Sequence, residues 1–274
     1  MKNILLSLLV VGGVTATVLG ATNAFFSDTE TSPANNLTAG KVDLKIDSTA
    51  HYNGMICTDG LWRDEDDNLN NNPRPELIGT QCTGTFALVD LTQEKFWDLT
   101  DVKPGDYGEN TISMHIEDNP VWACIDILNL NNAENDRIDP EIEAGDATDD
   151  PQGGELAQNI YFTSWADDGD NIWEQGEPLL FTNEQGPASD VLNGKTYTLV
   201  DSGSPLPTPF PGGSTQYLGL AWCAGTMTID GVNFTITCNG ASMGNVAQTD
   251  SLTADVRFRV EQHRNNPNFL CTPE

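Results

Sequence analysis

Cations are scarce in this chain. Lys and Arg number 12 against 41 Asp and Glu, for a formal charge of −29 over 274 residues. Nucleic-acid binding is driven by cationic side chains that displace counterions from phosphates, so this composition excludes a nucleic-acid partner. An anionic membrane surface is disfavoured on the same ground. Histidine is scarcer still, with His51, His115 and His263 the full set. A catalytic zinc usually takes about three protein ligands and an open position. No His-Glu-x-x-His pair and no Cys-x-x-Cys pair supplies one here. His115 and Glu117 would share one strand face, an arrangement far commoner as an ordinary sheet-surface pair than as a metal site. Long apolar runs are also missing. The longest, Ile4 to Leu19, is interrupted by Ser7, Gly12, Gly13, Thr15 and Thr17, and falls short of the ~20 residues of a membrane-spanning helix.

That run has a different use. Met1-Lys2-Asn3 carries one positive charge, the apolar stretch follows, and Thr22-Asn23-Ala24 ends it in small residues. This is the layout of a secretory signal cleaved after Ala24; the alternative is an uncleaved membrane anchor. Residues 1–24 are therefore expected to be a signal peptide, and the processed chain would begin Phe25-Phe26-Ser27-Asp28. Two aromatic residues at a terminus, where chains are usually polar and frayed, call for a groove. They either dock on their own domain or insert into a neighbouring subunit.

The six cysteines, Cys57, Cys82, Cys124, Cys223, Cys238 and Cys271, all follow that junction. An even number behind an export signal reads as a disulfide set, with zinc the weaker option. The sequence does not choose among the pairings. Separation along the chain favours Cys57 with Cys82, closing an insert, and Cys223 with Cys238, across a hairpin, which leaves Cys124 for Cys271.

Strands are written in alternation. Lys41-Val-Asp-Leu-Lys-Ile-Asp47 puts Val42, Leu44 and Ile46 on one face, and Ser251 to Glu261 does the same with Leu252, Ala254, Val256, Phe258 and Val260. Between them, extended stretches are expected at 84–91, 111–116, 121–130, 161–165 and 216–222. The strands on either side of Glu117-Asp-Asn-Pro120 suggest a meander. Asp230-Gly231 between 226–229 and 232–236 fits a two-residue type I′ hairpin turn. Residues 51–81 show neither helix nor strand period and read as a surface excursion, and 131–154 as a second acidic loop. Pro205, Pro207, Pro209 and Pro211 mark an irregular surface crossing. Glu155 to Ile160 is the one helical turn the pattern offers. The sum is about nine or ten strands with almost no helix, an all-β, antiparallel two-sheet sandwich with long acidic insertions. A single body, residues 41–274, follows the segment 25–40.

Ala24-Phe-Phe-Ser-Asp-Thr-Glu30, Thr38-Ala-Gly-Lys-Val-Asp-Leu44 and Lys103-Pro-Gly-Asp106 ahead of a strand, in this order, resemble the TasA and camelysin (CalY) family of secreted proteins, whose precursors are processed by a dedicated signal peptidase. The resemblance is close over the signal and first strand, moderate from Lys103 to Leu130, loose in the last strand, and absent from 48–82 and 131–215. It implies a jelly-roll sandwich whose processed N-terminus, with Phe25, Phe26, Ser27 and Asp28 at its head, completes the next subunit. The product the resemblance implies is an extracellular or cell-surface homopolymer, a fibre of biofilm matrix, with other matrix proteins as further partners and membrane contact only through an uncleaved signal. The six cysteines set this chain apart from the cysteine-poor fibre formers. Camelysins are also classed as metallopeptidases, so a secreted peptidase is the rival reading, and a monomeric adhesion module a third.

One constellation suits a cofactor. Asp167, Asp168, Asp170, Glu174 and Glu177 crowd a glycine-bearing loop with hard oxygen ligands, as calcium requires, although Gly169 is misplaced for an EF-hand. The alternative is a solvated acidic turn. Asp64-Glu-Asp-Asp67 is a shorter run of the same kind. Asn36-Leu-Thr38 and Asn233-Phe-Thr235 match the N-glycosylation acceptor, and Asn233 is expected inside a strand.

Overall fold

A computed structural model describes residues 42–65, 72–147, 149–181 and 185–273, all within one compact unit, Gly40–Glu274. The expected alternation is realised in β1 (Asp43–Tyr52), where Ile46, Ser48, Ala50 and Tyr52 are buried in turn. It pairs antiparallel along its length with β5 (Tyr107–Glu117).

The excursion expected at 51–81 is instead partly core. Asn53-Gly54 and Asp59-Gly60 all take positive φ, the backbone of tight hairpin turns. They fold β2 (Met55–Thr58) and β3 (Leu61–Asp64) back beside β1, burying Met55, Cys57 and Trp62. Strands this short show no readable period. The stretch at 84–91 contributes only β4 (Phe86–Val89), paired with β1.

The expected meander at 117–120 is also corrected. β6 (Val121–Ala133) leaves the sheet of β5 and forms a second sheet. Asp118, at φ 60°, turns the chain across the sandwich. The larger sheet runs β3-β2-β1-β5-β10-β7-β8, with β10 Ser214–Ala224, β7 Ile160–Asp167 and β8 Gln185–Pro187. The smaller runs β13-β6-β9, with β13 Ser251–Gln262 and β9 Thr196–Val200. Between them Tyr52, Phe162 and Trp222 pack with Ile127 and Tyr197. Ile46, Ile112 and Leu218 pack with Ala123 and Val200. The chain is thus an all-β, antiparallel protein built on these two packed sheets, with a third, two-stranded sheet beside them.

The acidic loop at 131–154 contains a helix, α1 (Asp139–Ala144). The expected turn at 155–160 forms α2 (Leu156–Asn159), and a further turn, α3 (Ala188–Val191), follows β8. β11 (Thr226–Asp230) and β12 (Thr235–Asn239) make the expected hairpin, but over residues 231–234 rather than a two-residue turn. The Asp230 carboxylate accepts from the Val232 and Asn233 amides, and Phe234 takes the positive φ. Asn233 is therefore exposed in a loop and not in a strand.

The three disulfides are Cys57–Cys82, Cys124–Cys271 and Cys223–Cys238. The last ties β10 to β12, fastening the hairpin to the large sheet rather than crossing the hairpin itself. Cys124–Cys271, with a separation of 147 residues, closes the longest loop. A loop that long is worth about 5 kcal/mol in the chain-entropy account of disulfide stabilisation.

Lys103-Pro-Gly-Asp106 is a structural hub. Asp106 N–H donates to the Lys103 carbonyl at 2.9 Å, with Gly105 at φ 91° closing the turn. The buried Asp106 carboxylate accepts from Tyr52 Oη (2.6 Å), Arg74 Nη1 (2.8 Å), the Lys103 amide (2.8 Å) and Asn53 Nδ2 (2.8 Å). Burial first, then the bond to Asp106, pushes the Tyr52 hydroxyl pKa well up. One carboxylate so joins the β1–β2 turn, the residues before β5 and the segment carrying Arg74.

Candidate functional site

The calcium-type loop begins at the end of β7, and the carboxylates of Asp167, Asp170 and Glu177 turn onto its own backbone. Asp167 Oδ2 accepts from the Gly169 and Asn171 amides, and its Oδ1 from Trp165 Nε1. Asp170 accepts from the Ile172 amide, and Glu177 from the Asp168 and Glu174 amides. Asp167, Asp168, Asp170, Glu174 and Glu177 are not brought together as one ligand group. What the loop does approach is Glu109 on β5, whose carboxylate accepts from Asn171 Nδ2 at 3.1 Å.

Burial first, then the negative potential of Glu65 and Asp167, pushes Glu109 up to about 7 against the Asn171 bond. A raised acid contributes stability that is complete below its ordinary value and is lost as pH rises through the folded one. Glu109→Gln should therefore match the parent in thermal melts near pH 4 and exceed it at pH 8, by on the order of 2 kcal/mol. Coincident melts at pH 8 would contradict this environment for Glu109.

The carboxylates that do converge lie elsewhere. Glu134 follows β6, Glu155 precedes α2 and Asp250 precedes β13, and one oxygen from each lies within 4.8 Å of the others. The local backbone fixes them. Asp250 Oδ2 accepts from the Glu155 and Leu156 amides at 2.5 and 3.1 Å, capping α2, and Asn135 Nδ2 donates to the Thr249 carbonyl and Ser251 Oγ. Glu141 of α1, fully buried, accepts from the Ile138 and Thr249 amides. Burial would raise its pKa, but those bonds outweigh it and hold the carboxyl below the ordinary range.

Glu134 has no such support. It is 9% exposed, and neither carboxylate oxygen has a hydrogen-bond partner among the described residues. Burial first, then Asp250, Asp146, Glu141 and Glu155, pushes it up to about 7. Nothing local in the sequence marks this group, because its members come from three distant segments.

The histidines are engaged separately. His115 Nε2 lies 2.6 Å from Asp47 and its Nδ1 3.2 Å from Thr215 Oγ1, while Glu117 pairs with Lys45. His51 meets Glu65, and His263 packs edge-on against Trp122. Asp64 accepts from Asn72 Nδ2; Asp66 and Asp67 lie outside the described residues. Gly240-Ala-Ser-Met-Gly244 has the Gly-x-Ser-x-Gly spacing of a hydrolase nucleophile, a motif that sequence reasoning missed. Here Ser242 ends a 3-10 turn after β12, and its hydroxyl bonds to Thr226 at 2.7 Å.

A second kind of site is the rim of the small sheet. Among the described residues β13 pairs only with β6, so one side of a 12-residue strand is open. Its inward row, Leu252, Ala254, Val256, Phe258 and Val260, packs on the core yet stays half-buried. On the outer face Arg257 and Arg259 converge on Asp126 of β6 at 2.9 and 3.1 Å. Burial raises Asp126, but the bonds from Arg259, Thr196 and Arg257 prevail and keep it below the ordinary carboxylate range. The other rims are shorter, with β3 at four residues, β8 at three and β9 at five. Phe25, Phe26, Ser27 and Asp28, and the signal at 1–24, lie outside the described residues. A scan against protein-family models finds no match to this chain, and a search of the curated proteins finds no relative.

Proposed function

We propose that this chain is an exported structural subunit that assembles head to tail by strand addition, residues 25–34 of one copy pairing along β13 of the next. The observation that carries this reading is the open side of β13. A long edge strand that has a neighbouring strand on one side alone among the described residues is a template for another strand, and natural sheets blunt such edges, as β3, β8 and β9 are blunted here by shortness.

The chemistry of the donor fits the acceptor. In an extended segment Phe26, Asp28 and Glu30 share one face and Phe25, Ser27 and Thr29 the other. Setting the acids against the Arg257 and Arg259 face of the small sheet points Phe25 at the half-buried row of Leu252 to Val260. Main-chain bonds supply affinity and the alternate side chains supply register. One buried Phe adds ~1.5–3 kcal/mol. Pro33 cannot donate to a ladder and so marks the end of the donor segment.

Three disulfides fit an oxidising, extracellular setting, and no described helix is long and apolar enough to cross a membrane. Cleavage after Ala24 frees the aromatic terminus. Because each copy donates at one end and accepts at another, the contact grows a filament unless it closes into a ring. Electron microscopy and light scattering of the chain beginning at Phe25 should show filaments. A monomer under every condition of salt and concentration would remove the proposal in favour of self-docking.

A further inference from the structure

We propose that Glu134, Glu155 and Asp250 form a calcium-binding site, distinct from the acidic loop at 167–177. The geometry matches the ion. Two oxygens each ~2.4 Å from one calcium can stand at most ~4.8 Å apart, and the three carboxylates offer atoms within that distance, 4.8 Å, of one another. All the donors are hard oxygens, with no imidazole or thiolate in the group, which favours calcium over zinc.

The second observation is independent of the acidic clustering. Glu134 is nine-tenths buried, its carboxylate is directed into the group, and both oxygens are without a partner among the described residues. Buried polar atoms in native structures are almost always satisfied, and an orphan points to an ion or water that completes it. Glu155 Oε2 and Asp250 Oδ1 are likewise without hydrogen-bond partners there. The other oxygen of Asp250 is already anchored by the Glu155 and Leu156 amides, so Asp250 is held in place before any ion arrives.

Assembling three buried or half-buried carboxylates is costly because each disfavours the charge of the next, and the groups acting on Glu134 after burial are all acids. A divalent cation turns that repulsion into attraction. It would also join the end of β6, the start of α2 and the residue before β13, and so hold the beginning of the edge strand. The site stands whether or not β13 accepts a further strand.

The test uses the chain beginning at Phe25 with its disulfides intact, titrated with calcium chloride after chelation and followed by calorimetry and thermal melts. The parent should bind calcium and melt higher with it. Glu134→Gln should weaken binding by at least about tenfold, remove that rise in Tm, and in chelator melt no lower than the parent, which separates a lost ligand from a lost fold. The paired variant Asp168→Asn with Asp170→Asn should keep the full response. A parent without a calcium response, or a Glu134→Gln chain that keeps it, overturns the proposal. So does loss of the response only in the loop variant, which would return calcium to 167–177.

Discussion

Asp106→Asn should cost about 3–5 kcal/mol of stability, the range for breaking a buried ion pair by removing one partner. The amide cannot satisfy the site in either orientation. With nitrogen at the Oδ2 position, it faces three donors, Tyr52 Oη, Arg74 Nη1 and the Lys103 amide. Flipped, it faces Asn53 Nδ2 and the negative charge opposite Arg74 is still gone. The Arg74 side chain is only 8% exposed, so its charge has little access to water, and among the described residues the more open Glu76 and Asp101 are the acids left to it. Adding Arg74→Met to Asp106→Asn should recover part of the loss, because the stranded charge goes with it. Denaturant melts of the single and double variants measure this directly. A loss under about 1 kcal/mol for Asp106→Asn would contradict the hub.

The hub also shows what is legible in the sequence. Lys103-Pro-Gly-Asp106 reads as turn chemistry, and the turn is there. That its aspartate gathers donors from Tyr52, Asn53 and Arg74 does not show, because those contacts span 32 to 54 residues of separation. Long alternating strands are plain in β1 and β13, where apolar residues recur at every second position. β2 and β3 are hidden by their length of four residues each, although Asn53-Gly54 and Asp59-Gly60 are present to mark their turns. The crossing at 118–120 reads as a hairpin because so short a link normally joins neighbours in one sheet. Only the positive φ of Asp118 and the partners of β6 reveal the change of sheet.

Loop length serves the cysteine pairs well, since short separations put Cys57 near Cys82 and Cys223 near Cys238. The same locality misleads on carboxylates. Those at 167–177 are neighbours in sequence, and Asp167, Asp170 and Glu177 spend oxygens on nearby amides, a habit of Asp in tight turns. Glu134, Glu155 and Asp250 meet only because β6, α2 and β13 do.

Removing residues 25–34 should abolish assembly while leaving the body folded. The compact unit Gly40–Glu274 contains every described strand and all three disulfides, and the truncation leaves all of these in place. β13 would then be an acceptor with nothing to accept. A synthetic peptide of residues 25–36 should bind it with one peptide per chain, and the same peptide added to the intact chain should cap growth.

Light scattering and electron microscopy of the chain beginning at Phe25, beside the chain beginning at Asn35, test strand addition most directly. Filaments from the first and monomers from the second are the expected pair of results. Identical filaments from both, or monomers from both, would contradict assembly through the N-terminal segment.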